Sequence, residues 1–323
     1  MAVYTDVGDD ELARFIAGYG LGSLLSCKGI AEGVENTNYL VHTTNDTFIL
    51  TIYERRVDPA DLPFFLGLME HLSARGVTCP LPVRDVRGRV LNPLGGRHAA
   101  LVTFLEGMWP RRPTEVHCLE LGKALARMHL AGEGFGIRRA NALGVNGWRS
   151  LFDKFADRAD EVVSGLRNLV TEELRFLEAT WPSRLPLGVI HADLFPDNVF
   201  FIGDQLSGLI DFYFACNDAL AYDIAVCLNA WCFEPDFEFN TTKGRALIKG
   251  YESVRRLNDA EREAMATLAR GAALRFLLTR SYDWLNTPKD ALVARKDPND
   301  YVQRLRFHQS VASIADFGSE REP

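Results

Sequence analysis

A two-lobe α+β fold is what this sequence predicts: an N-terminal antiparallel β-sheet lobe with one long helix, then a mainly α C-terminal lobe. Three observations lead there. The 323 residues exceed what one hydrophobic core usually serves. Short β-branched and apolar runs divided by turn residues fill the first third, with a single helical period among them. After Gly107 the periodicity becomes helical, with one β interruption. Residues 1–105 and 106–323 are therefore the expected lobes, with a cleft between them.

Asp9 to Gly20 starts acidic and ends in glycine, as a short amphipathic helix does. "LLSCKGIAEG", "NTNYLVHTT" and "TFILTIYER" read as three strands of a meander, the last two joined by a tight turn at Asn45-Asp46. In "DLPFFLGLMEHLSARG", Phe65, Leu68, Met69 and Leu72 share one helical face and Gly76 sits just past the end. Arg89 to Leu94 and His98 to Phe104 read as a hairpin. Beyond it, "PTEVHCLELGKALARMHLAG", Trp148 to Trp181, Leu220 to Asn229, Thr241 to Val254, Asp259 to Leu285 and Asp300 to Ile314 are helical in period. "VIHADLFPDNVFF" and "LSGLIDFYFA" form the β interruption.

The composition, 47% hydrophobic and 24% charged, is that of an ordinary globular protein with ample core-forming residues. A net charge of −7 with no long Lys/Arg run argues against nucleic acid or an anionic membrane as the main partner. The first residues lack signal-peptide character and no apolar run approaches the ~20 residues of a membrane span, so a cytoplasmic enzyme is expected. Cys27, Cys79, Cys118, Cys216, Cys227 and Cys232 show no C-x-x-C pairing or histidines at metal spacing. Buried reduced thiols are expected of them.

Within the β interruption, "H-A-D-L-F-P-D-N" places His191, Asp193, Leu194 and Asn198 at every fixed position of H-x-D-L-x-x-x-N, the protein-kinase catalytic-loop pattern. Asp211 follows at the end of an apolar strand, and a hairpin turning at Gly203-Asp204 would return it beside Asn198. Phosphoryl transfer requires a positioned metal, a residue that orients the acceptor hydroxyl, and charge neutralisation. Asp193 suits the hydroxyl: with an ordinary carboxylate pKa it would orient the group and take the proton late. Asn198 and Asp211 present the hard oxygen ligands that Mg²⁺ prefers. His191 braces the loop, and Asp197 occupies a free position of the pattern.

With these motifs the chain resembles the aminoglycoside phosphotransferase and choline kinase branch of the protein-kinase-like fold. "KGIAEGVENTNYLVHT", "FILTIYERR", "DLPFFLGLMEHLSARG" and "CPLPV" look specifically like bacterial homoserine kinases of that fold. The resemblance implies an ATP- and Mg²⁺-dependent alcohol phosphotransferase acting on L-homoserine in threonine biosynthesis, as a monomer or homodimer. It places the phosphate-covering loop at Gly33 to Asn38, with Gly33, Glu35, Asn36, Thr37 and Asn38 as nucleotide contacts, and adenine at a hinge through Thr103 and Leu105. Thr51 stands where most kinases carry the strand-three lysine, and Phe64 or Phe65 where its glutamate partner falls. Their joint absence strands no charge, and Lys28, Arg55, Arg56 or a second Mg²⁺ are the candidate replacements. Asp223 is expected to accept main-chain N–H groups of the catalytic loop, Asp218 to cap a helix or face substrate, and His129 to pack.

For the acceptor, Arg275, Arg280 and Asn229 are candidates. The rival substrate class is choline or ethanolamine, held by Trp231, Trp284 and Tyr213 through cation–π attraction. A rival outside enzymology is a catalytically silent pseudokinase, suggested by the missing lysine and glutamate.

Overall fold

The computed structural model describes residues 5, 7–30, 36–54, 57–287 and 295–319. Two compact units result, one running to Glu106 and the other beginning at Gly107.

In the first unit, α1 (Asp9–Ala17) is followed by β1 (Leu24–Gly29), β2 (Thr37–Thr43), β3 (Thr47–Ile52), α2 (Leu62–Ser73), β4 (Leu91–Leu94) and β5 (Arg97–Thr103). The strands form one antiparallel sheet in the order β1-β2-β3-β5-β4. Alternate residues of β2 are buried, Tyr39 and Val41 among them, as a half-covered strand requires. Leu12 and Ile16 of α1 join Val41, Leu50, Ile52 and Leu101 in the core. At the β2–β3 turn the Thr43 hydroxyl accepts from the N–H groups of Asn45 and Asp46, which fixes the register.

The second unit contains α3 (Glu115–Ala131), α4 (Val145–Asp153), α5 (Ala159–Val162), α6 (Leu166–Thr180), β6 (Leu187–Ile190), β7 (Val199–Ile202), β8 (Gln205–Leu209), β9 (Cys216–Ala219), α7 (Leu220–Trp231), α8 (Thr241–Glu252), α9 (Asp259–Asn286) and α10 (Asn299–Ser310). α3 and α8 cross closely because Gly122 and Gly250 carry no Cβ: one on Gly122 would strike the Leu247 carbonyl, one on Gly250 that of Leu119. β6 pairs antiparallel with β9, and β7 with β8 across a turn in which Gly203 takes φ +61°.

The structure corrects one element. Trp148 to Trp181 is not a single helix but α4, a 3₁₀ turn, α5 and α6. Phe155 leaves helical geometry at φ −142° and packs edge-on against Phe152 and Tyr282. Gly165 turns to φ +79° immediately before α6. Both breaks override a helical hydrophobic period. Among the described residues all six cysteines are free, five of them buried, and no helix is long and apolar enough to cross a membrane.

Candidate active site

β6 delivers the chain to His191, a 3₁₀ turn at Pro196–Asn198 reverses it, and β7 leads away. The β7–β8 hairpin pairs Val199 with Leu209. One step further on, the Ile210 N–H donates to the Asn198 carbonyl at 3.0 Å, so Asp211 emerges beside Asn198. His191, Asp193, Asn198 and Asp211 are thereby gathered by one loop and one hairpin.

Two residues of this group's backbone lie in the left-handed region, Ala192 at φ +63° and Asp211 at φ +62°. Side-chain-bearing residues pay roughly 1–2 kcal/mol there, so surrounding bonds must hold them. For Ala192 both sides of the chain are held. The buried Asp223 carboxylate accepts from the N–H of His191 at 2.6 Å and of Ala192 at 2.7 Å. The Ala192 carbonyl accepts from Nη1 of the buried Arg275. Asp223 also receives Nε2 of His129 at 3.1 Å, whose Nδ1 meets the Tyr251 hydroxyl at 2.8 Å. The expectation for Asp223 agrees with this geometry. His129 is buried, as expected of a packing residue, but it is also hydrogen-bonded directly to the loop's anchor.

His191 is fully buried. Its Nδ1 accepts from the Asp193 N–H at 3.3 Å, which leaves Nε2–H to donate to the Ile210 carbonyl at 2.9 Å. The ring thus ties the loop to the strand carrying Asp211. Burial lowers its pKa, against the pull of Asp223, so the neutral form that these bonds require is the favoured one.

Asn198 Nδ2 donates to the Asp193 carbonyl at 2.8 Å and approaches its Oδ2 at 3.4 Å. The amide oxygen of Asn198 is therefore the atom left for a cation. Burial raises the Asp193 pKa, with Arg275 foremost among the charges drawing it back down. Asp197 is exposed and pairs loosely with Lys296 at 3.7 Å, a contact worth little in water.

In the first unit, Gly33, Glu35, Arg55 and Arg56 lie outside the described residues. Asn36 Oδ1 accepts from the Glu54 N–H at 3.3 Å and the Thr37 hydroxyl donates to Glu54 Oε1 at 2.8 Å. Glu54 is further paired with Arg97 at 2.9 Å. Asn38 and Thr51 face each other across β2 and β3, the Thr51 hydroxyl donating to Asn38 Oδ1 at 2.8 Å. Thr51 is 2% exposed, and Phe64 and Phe65 are buried in α2 with rings edge-on at 5.8 Å. No charge is stranded at these positions. Lys28 sits exposed on β1. Thr103 bonds Leu81 through its N–H at 3.0 Å and its hydroxyl oxygen at 2.9 Å, while the Leu105 N–H finds no protein partner among the described residues.

Of the acceptor candidates, Asn229 is corrected: it is fully buried, its Nδ2 donating to the Ala225 and Ala269 carbonyls and its Oδ1 meeting His308, so it ties α7 to α9 and α10. Arg280 pairs with Asp300 at 3.1 Å. A choline-type cage does not form around Trp231 and Trp284: Trp231 is 1% exposed with Nε1 on the Leu194 carbonyl, and Arg295 covers the Trp284 ring. One arginine and one lysine stack on rings beside the loop instead. Arg275 lies over Phe276 at 4.3 Å, Lys296 over Phe195 at 5.2 Å, and Phe195 and Phe276 are in edge contact. Asp218 accepts from Asn141 Nδ2 at 2.7 Å and from the Ala219 N–H immediately before α7.

A sheet unit with one long helix, a helical unit, and a kinase-type catalytic loop completed by a strand-end aspartate define a small-molecule phosphotransferase. The chain belongs to the phosphotransferase enzyme family, whose model matches residues 26–257. Over nearly its whole length it is similar to homoserine kinases. That of Agrobacterium fabrum is 62% identical over 318 residues, 98% of this chain and 99% of the relative. That of Bradyrhizobium diazoefficiens is 64% identical over 319 residues, 98% of each. Among solved structures, an amicoumacin kinase in complex with AMP-PNP, Ca²⁺ and Ami superposes with a TM-score of 0.69 at 15% identity, covering 95% of this chain and 93% of that one. A microcompartment-associated aminopropanol kinase gives 0.66 at 18% identity, covering 96% and 99%. These last two establish the likeness of fold.

Proposed function

We propose that this protein transfers the γ-phosphoryl group of ATP to the side-chain hydroxyl of L-homoserine, yielding O-phospho-L-homoserine and ADP. The observation that carries phosphoryl transfer is the grouping of Asp193, Asn198 and Asp211 by one loop and one hairpin. Homoserine as acceptor is supported by full-length identity of 62–64% to homoserine kinases.

Asp193 orients the acceptor hydroxyl and takes its proton; the burial that raises its pKa brings it nearer to that task. His191, neutral and fixed at both ring nitrogens, holds the loop. Mg²⁺ fits the donors present: the amide oxygen of Asn198 and the Asp211 carboxylate are hard oxygens. Among the described residues no group of three or more His, Cys, Asp or Glu is placed to hold a metal. That suits an ion which usually completes its shell with water and phosphate oxygens. Mg²⁺ bound with ATP supplies neutralisation of the charge on the transferring phosphoryl group.

For the nucleotide, the assignments Gly33, Glu35, Asn36, Thr37, Asn38, Thr51, Thr103 and Leu105 are part of this proposal. The Leu105 N–H, without a protein partner among the described residues, is suited to donating to a purine nitrogen. Asn36 and Thr37 are occupied by Glu54, so their contribution is to hold the base of the phosphate loop. Two lobes of distinct roles, residues 1–105 for nucleotide and 106–323 for catalysis and acceptor, complete the reading. Mass spectrometry of the product from ATP, Mg²⁺ and L-homoserine tests it: a homoserine mass increased by one phosphoryl group is expected, and unmodified homoserine after prolonged incubation overturns it.

A further inference from the structure

The catalytic loop hangs on a carboxylate that faces three N–H groups. Asp223 accepts from the His191 N–H at 2.6 Å on one oxygen and from the Ala192 N–H at 2.7 Å on the other. Nε2 of His129 meets the first of these oxygens at 3.1 Å. With both oxygens already accepting, Asp223 has no hydrogen to give, so Nε2 must carry the ring proton. Which nitrogen of a neutral imidazole is protonated is set by what the other nitrogen meets. Nδ1 of His129 meets the Tyr251 hydroxyl at 2.8 Å.

The direction of that contact is fixed from its far side. Nη1 of Arg255 lies 3.2 Å from the Tyr251 oxygen and 2.9 Å from Glu261 Oε1. A guanidinium only donates, so the hydroxyl hydrogen points away from Arg255. Among the described residues the other partner of this hydroxyl is His129 Nδ1. Burial pushes the pKa of Tyr251 up, which keeps the hydrogen on the phenol. An imidazolium at His129 would turn its own Nδ1–H on the same oxygen and leave the hydroxyl hydrogen without an acceptor. The bonds therefore run one way, from Arg255 through Tyr251 and His129 to Asp223.

Helix packing brings these groups within reach. His129 lies on α3 and Tyr251 on α8, the helices that cross at Gly122 and Gly250. A Cβ on Gly122 would come 2.7 Å from the main-chain nitrogen of Tyr251, so the close crossing is what admits the contact. Beyond Arg255, Glu261 Oε2 accepts from the Asn258 N–H in the cap that opens α9. α9 also carries Arg275, which holds the Ala192 carbonyl. The left-handed Ala192 is thus tied to α9 twice, directly at its carbonyl and through the relay at its N–H.

We propose that Tyr251 is a positioning residue for the catalytic loop: its hydroxyl, oriented by Arg255, selects the Nε2–H tautomer of His129 that Asp223 requires, and so sets the geometry of Asp193. This rests on the functional reading above and goes beyond it, because it places control of the loop at a side chain two hydrogen bonds away from Asp223. In the Nδ1–H tautomer the Nε2 lone pair would face the Asp223 carboxylate, and repulsion would displace the oxygen that holds the His191 N–H.

NMR of wild-type protein labelled with ¹⁵N-histidine reads the tautomer without substrate, and the spectrum of His129→Gln identifies the His129 signals. The Nε2–H form is expected; the Nδ1–H form or an imidazolium at neutral pH overturns the proposal. Kinetics give the second readout. Tyr251→Phe should lower kcat about threefold to tenfold, the worth of one neutral hydrogen bond, with KM for ATP and for homoserine within about twofold of wild type. A glutamine amide has a fixed N–H donor and no tautomer to select, so in the His129→Gln background the same change should alter kcat by less than about twofold. Arg255→Met should lower kcat as Tyr251→Phe does, and Arg255→Lys, which keeps a donor, should restore it. Equal falls in the two backgrounds, a Tyr251→Phe enzyme with wild-type kcat, or KM values that rise in step with the fall in kcat overturn the proposal. A wild-type protein that leaves homoserine untouched overturns the functional reading and the catalytic role given to Tyr251, a result separate from the tautomer seen by NMR.

Discussion

Replacing Asp223 by asparagine tests how the catalytic loop is held. Both carboxylate oxygens are in use, one on the His191 N–H and His129 Nε2, the other on the Ala192 N–H. Asparagine keeps one oxygen and sets an NH₂ donor against at least one main-chain N–H. The loss comprises one charge-assisted bond, about 1.5–3 kcal/mol, and one buried donor left without an acceptor, about 1–3 kcal/mol. With Asp223 fully buried, solvent cannot make these good, so about 3–5 kcal/mol is expected. At about 2–4 °C per kcal/mol for a unit of roughly two hundred residues, Tm falls by about 10 °C. The left-handed turn at Ala192 loses part of its support, Asp193 shifts, and kcat falls by about a hundredfold. Calorimetry with a coupled ADP-release assay reads both. A Tm within about 2 °C of wild type and a kcat within about twofold would refute the argument that Asp223 holds the loop.

Asp193→Asn should lower kcat by about 10²–10⁴-fold with unchanged Tm, the usual span for a lost general base; near-normal turnover removes Asp193 from the mechanism. Asp211→Asn keeps a residue tolerant of the left-handed backbone while removing the charge, so the fold should persist and the Mg²⁺ concentration for half-maximal rate should rise at least about tenfold. Titration of rate against Mg²⁺ measures this. Thr51→Lys would place an unpaired ammonium where threonine is 2% exposed, and urea denaturation should show a loss of about 3 kcal/mol or more. His308, fully buried with Nε2 on Asn229 Oδ1, has its pKa lowered to about 3, by burial first and then by Arg304 and Arg270. Its unfolded form takes up a proton near pH 6.5, so the stability it contributes is present above that pH and is lost as pH falls towards 3. Between pH 7 and 5 this amounts to about 2 kcal/mol, and urea midpoints of His308→Gln should be correspondingly flatter over that range than those of the wild type.

Much of the site was legible because its residues are close in sequence. His191, Asp193 and Asn198 fall within eight residues, and a two-residue turn at Gly203-Asp204 fixes where Asp211 returns. The first sheet was legible through its period-two burial and its turn residues. α7 shows where reading fails. It is buried on nearly every side, Asp223 and Asn229 included, so periodicity cannot phase it, and nothing in the sequence marks Asn229 and Trp231 as interior rather than acceptor-facing. Arg275 was recognised as an acceptor candidate, but its hold on the Ala192 carbonyl joins residues 83 apart. No local pattern reports that distance. Nor does sequence mark Ala192 as left-handed, since alanine has no preference for that conformation. The break within Trp148 to Trp181 is hidden in the sequence because Gly165 interrupts a helical period that resumes on either side.

Phosphoryl transfer to homoserine at Asp193 is the core of the proposed mechanism. It is tested most directly by comparing ADP release from ATP and Mg²⁺ with L-homoserine, choline, ethanolamine or an aminoglycoside as acceptor, in wild type and Asp193→Asn. Homoserine-dependent ADP far above that with the other acceptors is expected in wild type, with its near-abolition in the variant. Turnover of choline with none for homoserine, or equal homoserine turnover by both proteins, would contradict it.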